Sequence, residues 1–69
     1  MPTLTINGEK RSFPEAPTVS SLLTALGLKP EAIAVELNRA IVPRAEYPGQ
    51  RLADGDELEI VTFVGGGAS

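Results

Sequence analysis

The chain reads as an α+β domain, a mixed sheet of four to five strands with one helix packed across it. Three observations carry that reading. Thr3–Asn7, Ile33–Leu37 and the first half of Glu57–Val64 alternate in the period of a half-buried strand. Val19, Leu22, Leu23 and Leu26 follow at i, i+3, i+4 and i+7, which makes one apolar stripe on a helix. The order is strands, helix, strands, and a single amphipathic helix needs a sheet face to cover. A parallel pairing made through the hairpin–helix–strand crossover is expected to be right-handed.

In the first strand, Leu4 and Ile6 face the core. Asn7-Gly8 predicts a two-residue hairpin, because a type I′ turn needs positive φ at both positions. A second strand, Glu9 to Phe13, returns antiparallel, and Pro14 and Pro17 end its pairing because proline has no N–H to give. Thr18 is the expected N-cap of the helix, its hydroxyl accepting from an unpaired first-turn N–H. Gly27 stands where a left-handed residue closes a helix, Leu28 folds back on the last turn, and Pro30 stops continuation.

Ile33, Val35 and Leu37 point inward from the next strand, and Asn38-Arg39 turns the chain. Ile41-Val42 is a short strand that Pro43 confines to an edge. Arg44 to Leu52 is an irregular connection anchored by Tyr47 and Leu52. Asp54-Gly55-Asp56 is a turn, which accounts for both aspartates without a catalytic pair. In the last strand Leu58 and Ile60 face the core, and its apolar content suits the sheet interior. The opposite face carries Glu57, Glu59, Val61 and Phe63, so acid gives way to apolar surface towards the end. Val61, Phe63 and Val64 form a candidate docking patch. The competing expectation is that the Arg44–Leu52 connection covers them, or that they are simply solvated.

Composition narrows the chemistry. Sixty-nine residues make one domain near the lower limit for an unaided core. The expected boundaries are a folded domain over 1–64 and a flexible tail over 65–69. There is no Cys and no His, so the commonest nucleophile, general base and metal ligands are missing from the chain itself. No catalytic residue and no metal site is expected. A net charge of −3 without a basic cluster argues against nucleic acid. No apolar run approaches the ~20 residues of a membrane span. The start, Met1-Pro2-Thr3-Leu4, lacks the pattern of a signal peptide, so a soluble cytoplasmic protein is expected.

The remaining feature is Gly65-Gly66-Gly67, followed by Ala68-Ser69. Residues without side chains can thread a narrow channel. A terminal glycine also presents an unhindered carboxylate, although a Gly/Ser-rich end equally suits a plain linker.

Taken together, Ala34-Val35-Glu36-Leu37-Asn38, Ile41-Val42-Pro43-Arg44, Tyr47, Leu52-Ala53-Asp54-Gly55-Asp56-Glu57-Leu58-Glu59-Ile60-Val61 and Phe63-Val64-Gly65-Gly66-Gly67 resemble the ThiS family, the sulfur carriers of thiamine thiazole biosynthesis. The resemblance covers nearly the whole chain and is strongest from Val35 to Gly67. It implies a ubiquitin-like β-grasp fold and a protein cosubstrate rather than an enzyme. A ubiquitin-activating-type adenylyltransferase uses ATP to adenylate the C-terminal glycine. Sulfur from a desulfurase persulfide displaces AMP, and the resulting thiocarboxylate feeds a thiazole synthase. The carry-over places the reactive carboxylate on Gly67, with Gly65 and Gly66 as the thread behind it. The carrier itself binds no cofactor; ATP and the sulfur donor belong to the activating partner.

One departure stands out: with Ala68-Ser69 attached, Gly67 has no free carboxylate. Either a processing protease removes them, or they are not native residues, or the chain is not a working carrier. Three rival functions share the pattern: a molybdopterin-synthase small-subunit-type carrier, a ubiquitin-like protein modifier, and an interaction module with an inert tail.

Overall fold

The structure, a computed structural model, describes residues 1–63. In chain order it contains β1 (Thr3–Ile6), β2 (Glu9–Ser12), α1 (Val19–Leu26), a 3-10 turn (Pro30–Ala32), β3 (Ile33–Leu37), β4 (Ala40–Ile41), a second 3-10 turn (Arg44–Glu46) and β5 (Glu57–Thr62). The five strands form one mixed sheet in the order β2-β1-β5-β3-β4. β5 is central, as its apolar content predicts. It runs parallel to β1 and antiparallel to β3. The crossover through α1 therefore links β2 to β3 over two intervening strands. The parallel neighbours β1 and β5 are brought together by the rest of the chain instead.

Asn7 and Gly8 have φ of 51° and 86°, the left-handed pair that closes the β1–β2 hairpin. Asn38 and Arg39 repeat this geometry at 50° and 72° between β3 and β4. Asparagine tolerates that region; arginine carries a steric cost there.

Both helix ends are capped. Ser21 N–H donates to Thr18 Oγ1 at 3.1 Å, and Thr18 N–H donates back to Ser21 Oγ at 2.9 Å. This is a capping box with serine in the place usually held by Glu or Gln. Val19 N–H donates to the Gln50 carbonyl and Ser20 N–H to the Tyr47 carbonyl, so the 44–52 connection satisfies the other first-turn donors. At the far end Gly27 has φ 74°. Its N–H donates to Thr24 O, and Leu28 N–H donates to Leu23 O, the paired closure that the left-handed glycine permits.

One cluster forms the core: Leu4, Ile6, Val19, Leu22, Leu23, Ile33, Val35, Val42, Tyr47, Leu52, Leu58 and Ile60. Tyr47 and Leu52 anchor the connection as expected. Leu26 and Leu37, expected inside, are only half-buried against this cluster. Leu26 sits in the last turn of the helix, and Leu37 is the last residue of β3, so each lies at the end of its element. The short fourth strand pairs at Ala40-Ile41 rather than Ile41-Val42. The two-residue turn fixes that register, while Val42 drops into the core and its N–H still donates to Val35 O. β2 stops at Ser12 and β5 at Thr62, short of the expected Phe13 and Val64.

Candidate functional site

The register of β5 sorts its residues into two sets. Leu58 and Ile60 are buried under the helix layer, and Glu57, Glu59 and Val61 alternate with them on the open face. Cross-strand partners share a face, so Val61 lies beside Ala34, and Glu59 beside Glu36, which in turn lies beside Ile41. The open face thus combines three carboxylates, Glu36, Glu57 and Glu59, with exposed apolar side chains. Ile41 is 71% exposed, Val61 57% and Phe63 54%. The 44–52 connection does not cover Val61 or Phe63; it is committed to the helix N-terminus. Ile41 escaped the sequence reading, although a β4 edge residue two places before a proline could have been tested for facing outward.

Beside these residues the open face has a shallow depression of about 550 Å³, lined by Thr5, Gly8, Glu36, Arg39, Glu57, Leu58 and Glu59. Among the described residues, no group of three or more His, Cys, Asp or Glu is placed to hold a metal ion. None of the helices described is long and apolar enough to cross a membrane.

The two aspartates after Leu52 have structural roles. Asp54 Oδ1 accepts from Thr3 N–H at 2.7 Å, and Asp56 Oδ2 accepts from Ala53 N–H at 2.8 Å. Asp56 Oδ1 also accepts from Asn38 Nδ2 at 3.2 Å, while Asn38 Oδ1 accepts from Glu57 N–H at 3.0 Å. This network fixes the start of β5. Further along, Ile60 N–H donates to Asn7 Oδ1 at 2.8 Å and Asn7 Nδ2 donates to Ile60 O at 3.1 Å. On the β3 side, Phe63 N–H donates to Ala32 O at 2.8 Å. The central strand is therefore held as far as Phe63, two residues before the expected tail. Val64, Gly65, Gly66 and Gly67, and the expected boundary between residues 64 and 65, lie outside the described residues.

The ThiS family model matches residues 4–67. A thiazole synthase of Paramagnetospirillum magneticum is 49% identical over 65 residues, covering 94% of this chain and 20% of that protein. The chain thus spans about a fifth of the length of that relative. The sulfur carrier protein ThiS of Bacillus subtilis is 40% identical over 50 residues, covering 72% of this chain and 76% of that protein. Among solved structures, the thiamine biosynthesis protein (ThiS) from Geobacter metallireducens superposes with a TM-score of 0.80 at 35% identity, covering 94% of this chain and 99% of that one. The five-stranded mixed sheet with one helix is thus the β-grasp arrangement that the resemblance implied. With the family match spanning residues 4–67, the chain belongs to the ThiS family of sulfur carrier proteins of thiamine biosynthesis.

Proposed function

We propose that this chain carries sulfur as a thiocarboxylate on Gly67 and is a cosubstrate activated by a separate adenylating enzyme. The observation that supports this most is the extent of the family match, which runs through residue 67, the third glycine. Once freed of Ala68-Ser69, the chain would supply a carboxylate, a thread of Gly65 and Gly66 suited to a close channel, and a central strand to present them. It has neither Cys nor His with which to do the chemistry itself.

A free carboxylate is a poor acyl electrophile at neutral pH. In the proposed cycle the Gly67 carboxylate attacks the α-phosphate of ATP and pyrophosphate leaves. A persulfide sulfur on a desulfurase or the activating partner then attacks the acyl adenylate and AMP leaves. A thiol cleaves the acyl persulfide, giving the thiocarboxylate and a disulfide. Thiazole synthase is the proposed acceptor, supported by the similarity of this chain to a segment of proteins bearing that name. The proposed use of ATP is in keeping with the expected cytoplasmic location. Val61, Phe63 and Val64 are the proposed docking residues for the activating partner, and a processing protease would free Gly67 from Ala68-Ser69.

The test compares two chains with a cognate adenylating enzyme. Two extra residues extend the chain by up to about 7 Å, while misplacing a reacting group by 1 Å can cost about 10²-fold in rate. The chain ending at Gly67 is expected to support ATP–pyrophosphate exchange, and to form a thiocarboxylate, seen by intact mass, once a sulfur donor is added. The chain ending at Ser69 is expected to give neither unless a protease is supplied. Equal exchange by the longer chain, verified intact, overturns the processing step. Exchange by neither overturns the carrier assignment to Gly67.

A further inference from the structure

β1 ends at Ile6 and turns away at Asn7-Gly8, yet β5 runs on to Thr62. Thr5 N–H donates to Asp56 O and Asn7 N–H donates to Leu58 O, so even-numbered residues of β5 direct their peptide groups towards β1. Glu57 O accepts from Asn38 N–H, and Phe63 N–H donates to Ala32 O, so odd-numbered residues serve the β3 side. The next even residue is Ile60, opposite which β1 has no further backbone. The Asn7 carboxamide takes that place, accepting from Ile60 N–H at 2.8 Å and donating to Ile60 O at 3.1 Å. One side chain thus reproduces the peptide group that a longer β1 would have supplied, across 53 positions of sequence. Both bonds are partly buried. Losing the partner at a partly buried site leaves the Ile60 peptide groups less well satisfied than before.

We propose that Asn7 is a positioning residue for the reaction at Gly67: its carboxamide holds the outgoing half of β5 on the side that β1 has left, and so sets the direction in which the chain leaves the domain. The inference rests on the preceding reading of Gly67 as the activated group. With the clamp, Gly67 follows the last residue held on both edges, Ile60, by seven positions (67 − 60); without it, Leu58 is the last such residue and the separation is nine (67 − 58). A strand end held along one edge is free to twist about it, since sheets twist by default. The spread in exit direction grows along the thread, and an activating site fitted to an in-line attack is sensitive to displacements of about 1 Å.

Asn7 meets two demands at once. Its φ of 51° calls for Asn, Asp or Gly, and the clamp calls for a donor and an acceptor on one short side chain. Asn7→Gly therefore keeps the turn and removes the clamp. Asn7→Asp keeps the turn and the acceptor for Ile60 N–H, but sets a carboxylate oxygen against the Ile60 carbonyl.

Steady-state exchange with a cognate adenylating enzyme separates positioning from stability. A variant that is partly unfolded has less competent carrier, which raises apparent KM and leaves kcat at saturation unchanged. A folded carrier that presents Gly67 wrongly loses kcat. In chains ending at Gly67, Asn7→Gly is expected to lower kcat threefold or more. Val42→Ala, a core truncation away from β5, is expected to raise only KM. Should the glycine variant fail to fold, Asn7→Asp is judged by the same threefold criterion. A kcat within threefold of the parent, whatever the KM, overturns the positioning role while the carrier reading stands. A parent chain that supports no exchange overturns that reading and this inference with it.

Discussion

The two faces of β5 differ in what they contribute. Leu58 and Ile60 are 2% and 8% exposed, whereas Val61, one residue further on, is 57% exposed. The inward set belongs to the single cluster that includes the helix stripe and the 44–52 anchors. Among the described residues no layer covers the outward set, which changes character along the strand from Glu57 and Glu59 to Val61, with Phe63 just beyond its end. Because strand residues alternate faces, β5 serves fold stability through Leu58 and Ile60 and the proposed docking through Val61, with no residue serving both. Substitutions on the covered face should change stability, and those on the open face should change partner affinity alone.

The largest effect is expected from the covered face. Leu22 is fully buried at the centre of the helix stripe. Leu22→Ala should cost about 2–5 kcal/mol, the usual range for a buried leucine truncation. Total stabilities of about 5–15 kcal/mol make that a large share for a domain of this size. Leu26→Ala should cost less, because Leu26 is already half-buried at the helix margin. Urea unfolding measures both. A loss below 1 kcal/mol at Leu22, or a greater loss at Leu26, would break the division into a covered and an open face.

Most of this division was legible in the sequence because it follows from local periods. The alternation at Thr3–Ile6, Ile33–Leu37 and Glu57–Thr62, the Thr18 cap and the left-handed Gly27 each need only a few neighbouring residues to be recognised. Three features were not legible, for one physical reason. The half-burial of Leu26 and Leu37, the inward turn of Val42 and the reach of Asn7 to Ile60 all depend on what stands opposite in three dimensions. Asn7 shows this best: the turn propensity of Asn-Gly explains its φ fully and conceals a second role 53 positions away. The exposure of the proposed docking residues was legible in part. Val61 and Phe63 were singled out from the pattern, while Ile41 required the register of three strands. The glycines lie beyond the described residues, so their assignment rests on the resemblance and the family match.

On the open face, Phe63→Asp is the sharper probe. Ordering the glycine thread costs roughly 1–2 kcal/mol per residue, and glycines offer no side-chain contacts in return. Affinity must then come from the domain surface, where burying a phenylalanine contributes about 1.5–3 kcal/mol. Phe63→Asp is expected to weaken binding to the activating enzyme by about one to two powers of ten, on the conversion of about 1.4 kcal/mol per tenfold. Its effect on stability should stay within about 0.5 kcal/mol, as for other exposed positions. Calorimetric titration against the activating enzyme and urea unfolding read the two quantities separately. Unchanged affinity would place the docking surface elsewhere; a large loss of stability would show that Phe63 belongs to the fold.

The smallest effect tests how far the proposed surface extends. Ile41 reaches the open face through two pairings, β4 with β3 and β3 with β5, which put it in the Glu36–Glu59 row next to the Ala34–Val61 row. At 71% exposed it contributes little to the core. Ile41→Thr keeps the β-branched shape that an edge strand favours, so stability should again move by less than about 0.5 kcal/mol. What it removes is apolar surface, worth about 0.8 kcal/mol per buried methylene. If the activating partner covers this row, affinity should fall roughly three- to fivefold, below the Phe63→Asp effect, and by the same factor in either background if the sites act independently. An affinity unchanged within error would end the surface at Val61. An effect equal to that of Phe63→Asp would instead place its centre on β4, away from the strand that leads to Gly67.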